Sequence, residues 1–264
     1  MVSRELSIAL VQTDLAWENQ TANLANLEEK IWTIDQAVDL IILPEMFTTG
    51  FSMSAEKLAE PMNLHATKWM KQMAAQTNAV ITGSVIIKEE GKFFNRLLWA
   101  SPGGKIQHYD KRHLFRFSGE DEVYSPGFDF KIFELKGWRI FPQICYDLRF
   151  PVFSRNTWEK EEAAYDLVFY IASWPAARSS AWDALLPARA IENLSYSIGV
   201  NRVGVDGNNI EYCGGSAAFD FKGKTLAQLG NQEKISIIKL DRQSLEDYRK
   251  KFPAWKDADH FGLD

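Results

Sequence analysis

Short apolar segments alternate with helical segments along this chain, and the alternation restricts the folds that the sequence can adopt. Buried strands are predicted over residues 5–12, 39–44, 79–88 and 165–171, which are apolar and largely β-branched. Helices are predicted over residues 19–38, 62–77, 153–164, 180–193 and 243–252. No linker, repeat or low-complexity segment interrupts the series, so we predict a single α/β domain over residues 1–264.

The segment 141–150 joins the end of a strand to a cysteine. Residues 138–144 are predicted to form a buried strand, and Cys145 follows directly, before a polar turn and Pro151. A thiol at a strand tip, before a turn that opens a helix, faces free backbone N–H groups that stabilise negative charge. We therefore predict a thiolate nucleophile at Cys145, the alternative being a buried structural cysteine.

Two other predicted strands also end in side chains suited to catalysis. Glu45 follows the apolar run 39–44, and Lys111 follows a predicted strand over residues 105–109. Ligand sites of α/β folds gather at strand ends, so we expect these side chains near Cys145. A thiol that attacks a carbonyl needs a base, and the oxyanion needs a cation or N–H donors. The simpler interpretations are a surface or helix-start carboxylate for Glu45 and a solvated run of charges around Lys111.

The composition argues against several classes of function. A net charge of −5 and a pI near 5.5 give no electrostatic case for binding nucleic acid or an anionic membrane. The first residues lack the pattern of a secretory signal, and no apolar run approaches the ~20 residues of a membrane span. Cys145 and Cys213 suggest neither a disulfide framework nor a zinc site. We expect a cytoplasmic protein that acts on a small molecule without cofactor or metal.

Three motifs give the chain a resemblance to a known family. The segments 41–47 (IILPEMF), 109–115 (YDKRHLF) and 144–150 (ICYDLRF) occur in the order and at the separations found in the nitrilase superfamily of carbon–nitrogen hydrolases. The resemblance extends over YIASWPAAR, ARAIENLSY and the C-terminal KFPAWKDADHF, and it is strongest to the bacterial ω-amidase branch. It implies an αββα sandwich, paired as αββααββα in a homodimer.

The resemblance also implies roles for individual residues. Cys145 would be the nucleophile, Glu45 the general base and Lys111 the stabiliser of the oxyanion. The backbone N–H of Tyr146 would complete the oxyanion hole.

The family carries a second glutamate between the lysine and the cysteine. Glu120 is the best match, with Asp121 and Glu122 as alternatives, and it would position Lys111 and the substrate amide.

An ω-amidase would act on 2-oxoglutaramate and 2-oxosuccinamate, which need a cation for their α-carboxylate. Arg178 is our candidate and Arg149 the second, although either could instead form a structural salt bridge. Phe51, Phe117 and Trp174 are expected to wall a small pocket. Five charged residues are expected to act as scaffold that orients the site: Asp110, Arg112, Asp147, Arg189 and Glu192.

Alternative functions stay open at this point. Within the superfamily these are a nitrilase, an N-carbamoyl hydrolase and an amidase for a deaminated peptide such as deaminated glutathione. Outside it, Cys145 could belong to a redox-sensing thiol protein with Cys213 as its resolving cysteine. A non-catalytic binding module would be marked by the loss of Glu45, Lys111 or Cys145, and all three are present.

Overall fold

The computed structural model describes residues 4–259 and residue 262, so His260 and Phe261 of the C-terminal motif lie outside the described residues. Its helices are α1 (Gln20–Trp32), α2 (Ala55–Leu58), α3 (His65–Thr77), α4 (Glu120–Val123), α5 (Pro151–Ser154), α6 (Ser179–Asn193) and α7 (Arg242–Lys251). Short 3-10 helices span Arg116–Ser118, Cys145–Arg149, Ala176–Arg178 and Ala254–Asp257.

The strands of the first half of the chain are β1 (Glu5–Gln12), β2 (Leu40–Ile42), β3 (Val80–Glu89), β4 (Lys92–Ala100), β5 (Ile106–Asp110), β6 (Phe133–Leu135) and β7 (Trp138–Ile144). Those of the second half are β8 (Trp158–Glu159), β9 (Glu162–Ala163), β10 (Leu167–Ala172), β11 (Tyr196–Asn201), β12 (Val203–Val205), β13 (Glu211–Cys213), β14 (Ala217–Phe219), β15 (Thr225–Gln228) and β16 (Lys234–Asp241).

Two six-stranded sheets contain most of these strands. The first has the order β16-β1-β2-β3-β4-β5 and the second the order β15-β14-β11-β10-β7-β6. Strands β1, β2 and β3 are parallel in the first sheet, as are β7, β10 and β11 in the second. The outer strands pair antiparallel. Because parallel strands share one direction, the central strands of each sheet end at a common edge.

The alternation of side chains along β1 shows how the first sheet is covered. Leu6, Ile8 and Leu10 pack in one cluster with residues of β7 and β10, whereas Ala9 and Val11 pack with α1 and α3. Successive side chains of a strand point to opposite faces. One face of the first sheet therefore contacts the second sheet, and the other contacts the two helices.

Helix α6 covers the outer face of the second sheet, and a glycine allows its close approach. A Cβ on Gly199 of β11 would lie 2.5 Å from side-chain atoms of Leu186 and of Trp182 in α6. No larger residue fits this separation without displacing the helix. The layers are therefore helix, sheet, sheet and helix, which confirms the predicted αββα sandwich.

The helix predicted over residues 153–164 is wrong. Only α5 is helical there, and β8 and β9 form a hairpin whose turn residues Lys160 and Glu161 have φ values of 47° and 68°. Asn156 donates its side-chain N–H groups to the carbonyls of Tyr165 and Asn193, and its backbone N–H to the Asn193 side chain. These bonds to distant residues hold the backbone extended, which local helical preference does not reveal.

A buried carboxylate at the start of β10 fixes α7 to the second sheet. Asp166 accepts hydrogen bonds from Arg139 of β7 at 3.0 and 3.2 Å and from Arg249 of α7 at 2.7 Å. Burial alone would raise the pKa of Asp166, but the hydrogen bonds and charges of the two arginines hold it below its ordinary value of 3.8.

We expect Asp166→Asn to lower the free energy of unfolding at pH 7 by about 3 kcal/mol, because it leaves two arginines without their shared anion. A lowered folded-state pKa contributes stability that is present above pH 3.8 and is lost as the pH falls through the folded value. Urea denaturation at pH 7 and in acid measures the difference. The control Asp129→Asn breaks an exposed pair with Lys131 and should change little. Equal effects of the two substitutions would contradict the prediction.

Candidate active site

Strand direction brings the predicted functional side chains to one edge of the sandwich. Strand β5 is antiparallel to β4, and β4 to β3, so β5 runs in the same direction as β2 and β3. Glu45, in the turn after β2, and Lys111, directly after β5, therefore lie at the same edge of the first sheet. Cys145 follows β7 at the carboxyl edge of the second sheet. Glu120 begins α4 and points its carboxylate to the same place.

Lys111 lies between two buried carboxylates. Its Nζ is 2.9 Å from Glu45 Oε1, and 3.0 and 2.9 Å from the Oε1 and Oε2 atoms of Glu120. All three side chains are 0% exposed. Burial alone would lower the pKa of Lys111, but the charges of Glu120 and Glu45 raise it well above its ordinary value. Lys111 is therefore an ammonium group at any physiological pH.

Further donors fix the orientation of both carboxylates. Glu45 accepts hydrogen bonds from the Asn95 side chain at 2.8 Å and from the Ser173 backbone N–H at 2.8 Å. Glu120 accepts a bond of 2.6 Å from the backbone N–H of Phe115. Burial, together with the charge of Glu45, raises the pKa of Glu120 above its ordinary value, although Lys111 opposes the shift. Hydrogen-bond donors from several elements therefore fix the carboxylates of Glu45 and Glu120 in place.

The backbone at Cys145 has a conformation that is uncommon for a residue with a side chain. Its φ is 45°, in the left-handed region. Asp147 holds the turn in place, because its Oδ2 accepts bonds from the Ile144 N–H at 2.9 Å and the Tyr109 hydroxyl at 2.8 Å. Its Oδ1 accepts a bond of 3.0 Å from the backbone N–H of His113. Strain of this kind is commonly found at functional sites, where surrounding contacts maintain it.

The prediction that Cys145 is a thiolate is not borne out in the resting structure. Burial, followed by the charge of Glu45, raises the pKa of the thiol well above its ordinary value, and the charge of Lys111 only partly opposes this. The turn after Cys145 is a five-residue 3-10 helix instead of an α-helix. The raised pKa therefore favours the protonated thiol.

A cavity of about 530 Å³ opens above these groups. Cys145, Lys111 and Tyr146 line it, as do all five residues predicted to bind the substrate: Phe51, Phe117, Arg149, Trp174 and Arg178. The Lys111 Nζ lies 5.1 Å from the ring centre of Phe51. The structure thus brings together every residue that the sequence suggested for the site, while the roles of these residues remain predictions.

Both candidate arginines at the cavity stack on aromatic rings. The Arg178 guanidinium lies 5.4 Å from the ring centre of Phe115 and 4.7 Å from that of Phe117. Arg149 lies 5.2 Å from the ring of Trp174. Neither arginine forms an ion pair with any residue in 4–259. The structural salt bridges considered as alternatives are therefore not formed within the described residues.

The charged residues predicted as scaffold do not line the cavity and contact neighbouring segments instead. Arg189 donates to the carbonyl of Leu148 and pairs with Glu192 at 2.9 Å. Asp110 accepts two bonds from Arg96, and Arg112 donates to the carbonyl of Phe128. Cys213 is partly exposed on β13, and both cysteines are free.

Sequence reasoning missed three parts of this site. Asn95 is the single amide of strand β4 and stands beside Arg96, so a polar pair between apolar residues was the available signal. Ser173 contributes through its backbone N–H, so no side-chain pattern could reveal it. The sequence predicts only a turn over residues 206–208, yet Asp206, Ile210 and Tyr212 line the cavity.

Neither a metal-binding cluster nor a membrane-spanning helix is found in the part of the chain that the structure describes. Within residues 4–259 and 262, no three His, Cys, Asp or Glu side chains are grouped so as to hold a metal ion. The same residues contain no helix with the length and apolar character needed to cross a bilayer.

Comparison with known proteins identifies the class. The family model and the named relatives indicate a hydrolase that acts on carbon–nitrogen bonds of linear amides. Residues 7–250 match the profile of the family described as Carbon-nitrogen hydrolase, and the chain belongs to this family.

Several relatives match over nearly their whole length. Omega-amidase YafV of Escherichia coli K12 is 46% identical over 261 residues, 98% of both chains. The 2-oxoglutaramate amidase of Bacillus subtilis 168 is 31% identical over 254 residues, 95% of this chain and 96% of its own. These relatives confirm the resemblance to the ω-amidase branch.

Solved structures agree with the fold. XC1258 from Xanthomonas campestris is a CN-hydrolase superfamily protein with an arsenic adduct in its active site. It superimposes with a TM-score of 0.97 at 45% identity, covering 99% of this chain and 100% of that one. Nit3 of Saccharomyces cerevisiae, from branch 10 of the nitrilase superfamily, gives 0.83 at 23% identity with 96% of each chain covered. At that identity Nit3 supports the fold alone.

We expect Lys111→Met to lower the free energy of unfolding by about 3–5 kcal/mol, because two buried carboxylates then face each other without their cation. The double variant Lys111→Met/Glu120→Gln removes one of the two charges and should recover part of that loss. Chemical denaturation at pH 7 measures both. Equal stability of the single and double variants would contradict the electrostatic explanation. Glu122→Gln, a nearby exposed site, is the control for changing a carboxylate in this helix.

Proposed function

We propose that this chain is an ω-amidase that releases ammonia from the ω-amide of 2-oxoglutaramate and 2-oxosuccinamate. The observation that carries the proposal is the buried group of Glu45, Lys111, Glu120 and Cys145 beneath a cavity with two stacked guanidinium groups. The relatives that carry the names ω-amidase and 2-oxoglutaramate amidase support the choice of substrate.

The first half of the proposed reaction forms a thioester. Glu45 accepts the proton of Cys145 as the sulfur attacks the amide carbon, and the carbonyl π electrons move to oxygen. Lys111 and the N–H of Tyr146 stabilise the oxyanion, and Glu120 positions Lys111 for this task. When the oxyanion collapses, the C–N bond breaks and ammonia leaves with the proton held by Glu45. The acyl group remains on Cys145.

The second half of the reaction consumes one water molecule. Glu45 takes a proton from water as the water oxygen attacks the thioester carbon. The C–S bond then breaks, the proton returns to the sulfur of Cys145, and the carboxylic acid is released. The net change is one amide and one water converted to one acid and one ammonia.

The cavity mouth supplies the cation that a 2-oxo acid requires. Arg178 is the proposed partner of the α-carboxylate, because it lines the cavity and has no ion pair with a described residue. A guanidinium can form two parallel hydrogen bonds with a carboxylate, and its contact with Phe115 and Phe117 restricts its orientation.

We expect the enzyme to release ammonia from 2-oxoglutaramate faster than from glutamine, asparagine, an N-carbamoyl amino acid, deaminated glutathione or a simple nitrile. Cys145→Ala should keep the fold and reduce kcat by about 10³-fold or more, since it removes the nucleophile. An ammonia assay with circular dichroism measures both. A Cys145→Ala variant that hydrolyses 2-oxoglutaramate at the wild-type rate would contradict the mechanism.

The arginine variants are the matched controls in that assay. Arg178→Met should raise KM for 2-oxoglutaramate by about 10- to 100-fold, with little change for an amide that lacks a carboxylate. Arg149→Met should have the smaller effect. The reverse order would assign the carboxylate to Arg149, and no effect of either would contradict carboxylate recognition at this mouth.

We further propose that the chain forms one domain and acts as a homodimer in the cytoplasm, with the sandwiches paired as αββααββα. Val152 of α5, Ile191 of α6 and Phe252 are each 53% exposed, and Ile191 and Phe252 line the same cavity. Exposed apolar side chains of this kind support an interface with a second copy. The two free cysteines suit a reducing compartment.

We expect Ile191→Glu to shift the protein from dimer to monomer, because it places a charge in that apolar surface. Light scattering after size exclusion measures the mass, and Trp32→Glu, on the exposed end of α1, is the control. A wild-type protein that elutes as a monomer would contradict the dimer.

A further inference from the structure

The side chain of Asn95 makes a second bridge between the two buried carboxylates. Its Nδ2 donates to Glu45 Oε1 at 2.8 Å and to Glu120 Oε1 at 3.3 Å. The Lys111 Nζ contacts the same two oxygens at 2.9 and 3.0 Å. Each of these two carboxylate oxygens is therefore shared by the same pair of nitrogen atoms, one charged and one neutral.

The Oδ1 atom of Asn95 has no partner among the described residues, so this position uses the amide for its two N–H donors. Asn95 is 1% exposed, and its Oδ1 has no hydrogen-bond partner among the described residues. A buried unpaired acceptor costs about 1–3 kcal/mol. The opposite orientation would turn Oδ1 towards two carboxylates, which is less favourable still. The amide therefore tolerates one unsatisfied atom while both N–H groups are used.

The hydrogen bonds of Glu45 then identify the oxygen that is free to take a proton. Its Oε1 already accepts from Lys111 and Asn95, whereas its Oε2 accepts only from the Ser173 N–H at 2.8 Å. A carboxylate oxygen offers about two acceptor sites. Within the described residues, the unoccupied site of Glu45 is therefore on Oε2.

We propose that Asn95 is a positioning residue of the reaction. By occupying Oε1 of Glu45 it directs Oε2 towards the Cys145 proton, and by bonding to both carboxylates it links Glu45 to Glu120. The turnover assay that tests this inference rests on the proposed function. Asn95 touches neither the substrate cavity nor the thiol, and it acts only through the carboxylates.

Five titratable groups face Glu45 and set the charge balance that a substitution at Asn95 would change. They are Lys111, Glu120, Cys145, Tyr124 and Tyr212. Among them only Lys111 is positive, so the cluster depends on neutral donors to balance its carboxylates. Loss of the Asn95 donors leaves the carboxylate charge beside the thiol less compensated and makes deprotonation of the thiol harder.

The test is the pH dependence of Cys145 alkylation by iodoacetamide, followed by mass spectrometry of the Cys145 peptide. Asn95→Asp keeps the size but replaces the donors with a further acid, and should move the midpoint up by about one pH unit. Asn95→Leu should shift it less, in the same direction. Asn95→Ser, whose hydroxyl can still donate one bond, should lie nearest the wild type.

Turnover of 2-oxoglutaramate gives the second readout. For Asn95→Asp and Asn95→Leu we expect kcat to fall by about 10- to 100-fold while KM changes by less than about twofold, because the base and not the substrate site is misplaced. A rise in KM with kcat unchanged would overturn the proposal.

A matched control separates positioning from a general loss of stability. Asn156 is also a buried amide with two donated bonds, of 2.9 and 3.1 Å, but it lies away from the site. Asn156→Leu should lower stability yet leave the alkylation midpoint and kcat as in the wild type. Asn95 variants that match Asn156→Leu in both readouts would overturn the proposal.

Failure of the proposed function gives a different pattern. A wild-type enzyme that does not hydrolyse 2-oxoglutaramate, while the Asn95 variants still shift the alkylation midpoint, would reject the substrate and retain the positioning role. Alkylation that is unchanged in the Asn95 variants would reject the positioning role whatever the substrate.

Discussion

An ammonium group held between two carboxylates, all removed from water, is the interaction on which the rest of the site depends. Lys111 alone does not balance Glu45 and Glu120, so the remaining negative charge has to be met by neutral donors. Asn95 and the backbone N–H group of Ser173 meet it at Glu45. Because Ser173 follows β10 and Glu45 follows β2, the hydrogen bond between them also links the two sheets.

The same negatively charged surroundings explain why the Cys145 thiol keeps its proton. A thiolate beside Glu45 would add to the uncompensated charge, and burial removes the water that would otherwise solvate it. The resting site therefore keeps Cys145 neutral. Cys145 has a left-handed backbone conformation and lines the cavity.

The candidate binding arginines differ in exposure from the ionic cluster. Lys111, Glu45 and Glu120 are fully buried, whereas Arg149 is exposed and Arg178 is half-buried, and both arginines lie over aromatic rings. Phe117 is 81% exposed although it contacts Arg178, which suits a side chain that orients a cation at a solvent-facing mouth.

The sequence by itself determined the sandwich and singled out residues that meet at the buried site. Strand periodicity and strand-end motifs are local properties, so the positions of Glu45, Lys111 and Cys145 relative to the strands could be predicted. The resemblance added Glu120. The hairpin at β8 and β9 was mistaken for a helix because Asn156 bonds to residues far along the chain.

Only the tertiary structure decided the protonation state of Cys145 and the roles open to Asn95 and Ser173. A helix-terminus argument considers one neighbour of the thiol, whereas its pKa depends first on burial and then on Glu45, which lies a hundred residues earlier in the chain. Likewise, Asn95 matters through two carboxylates from separate elements. Burial and long-range charge depend on the distances that folding creates, and a sequence pattern does not contain those distances.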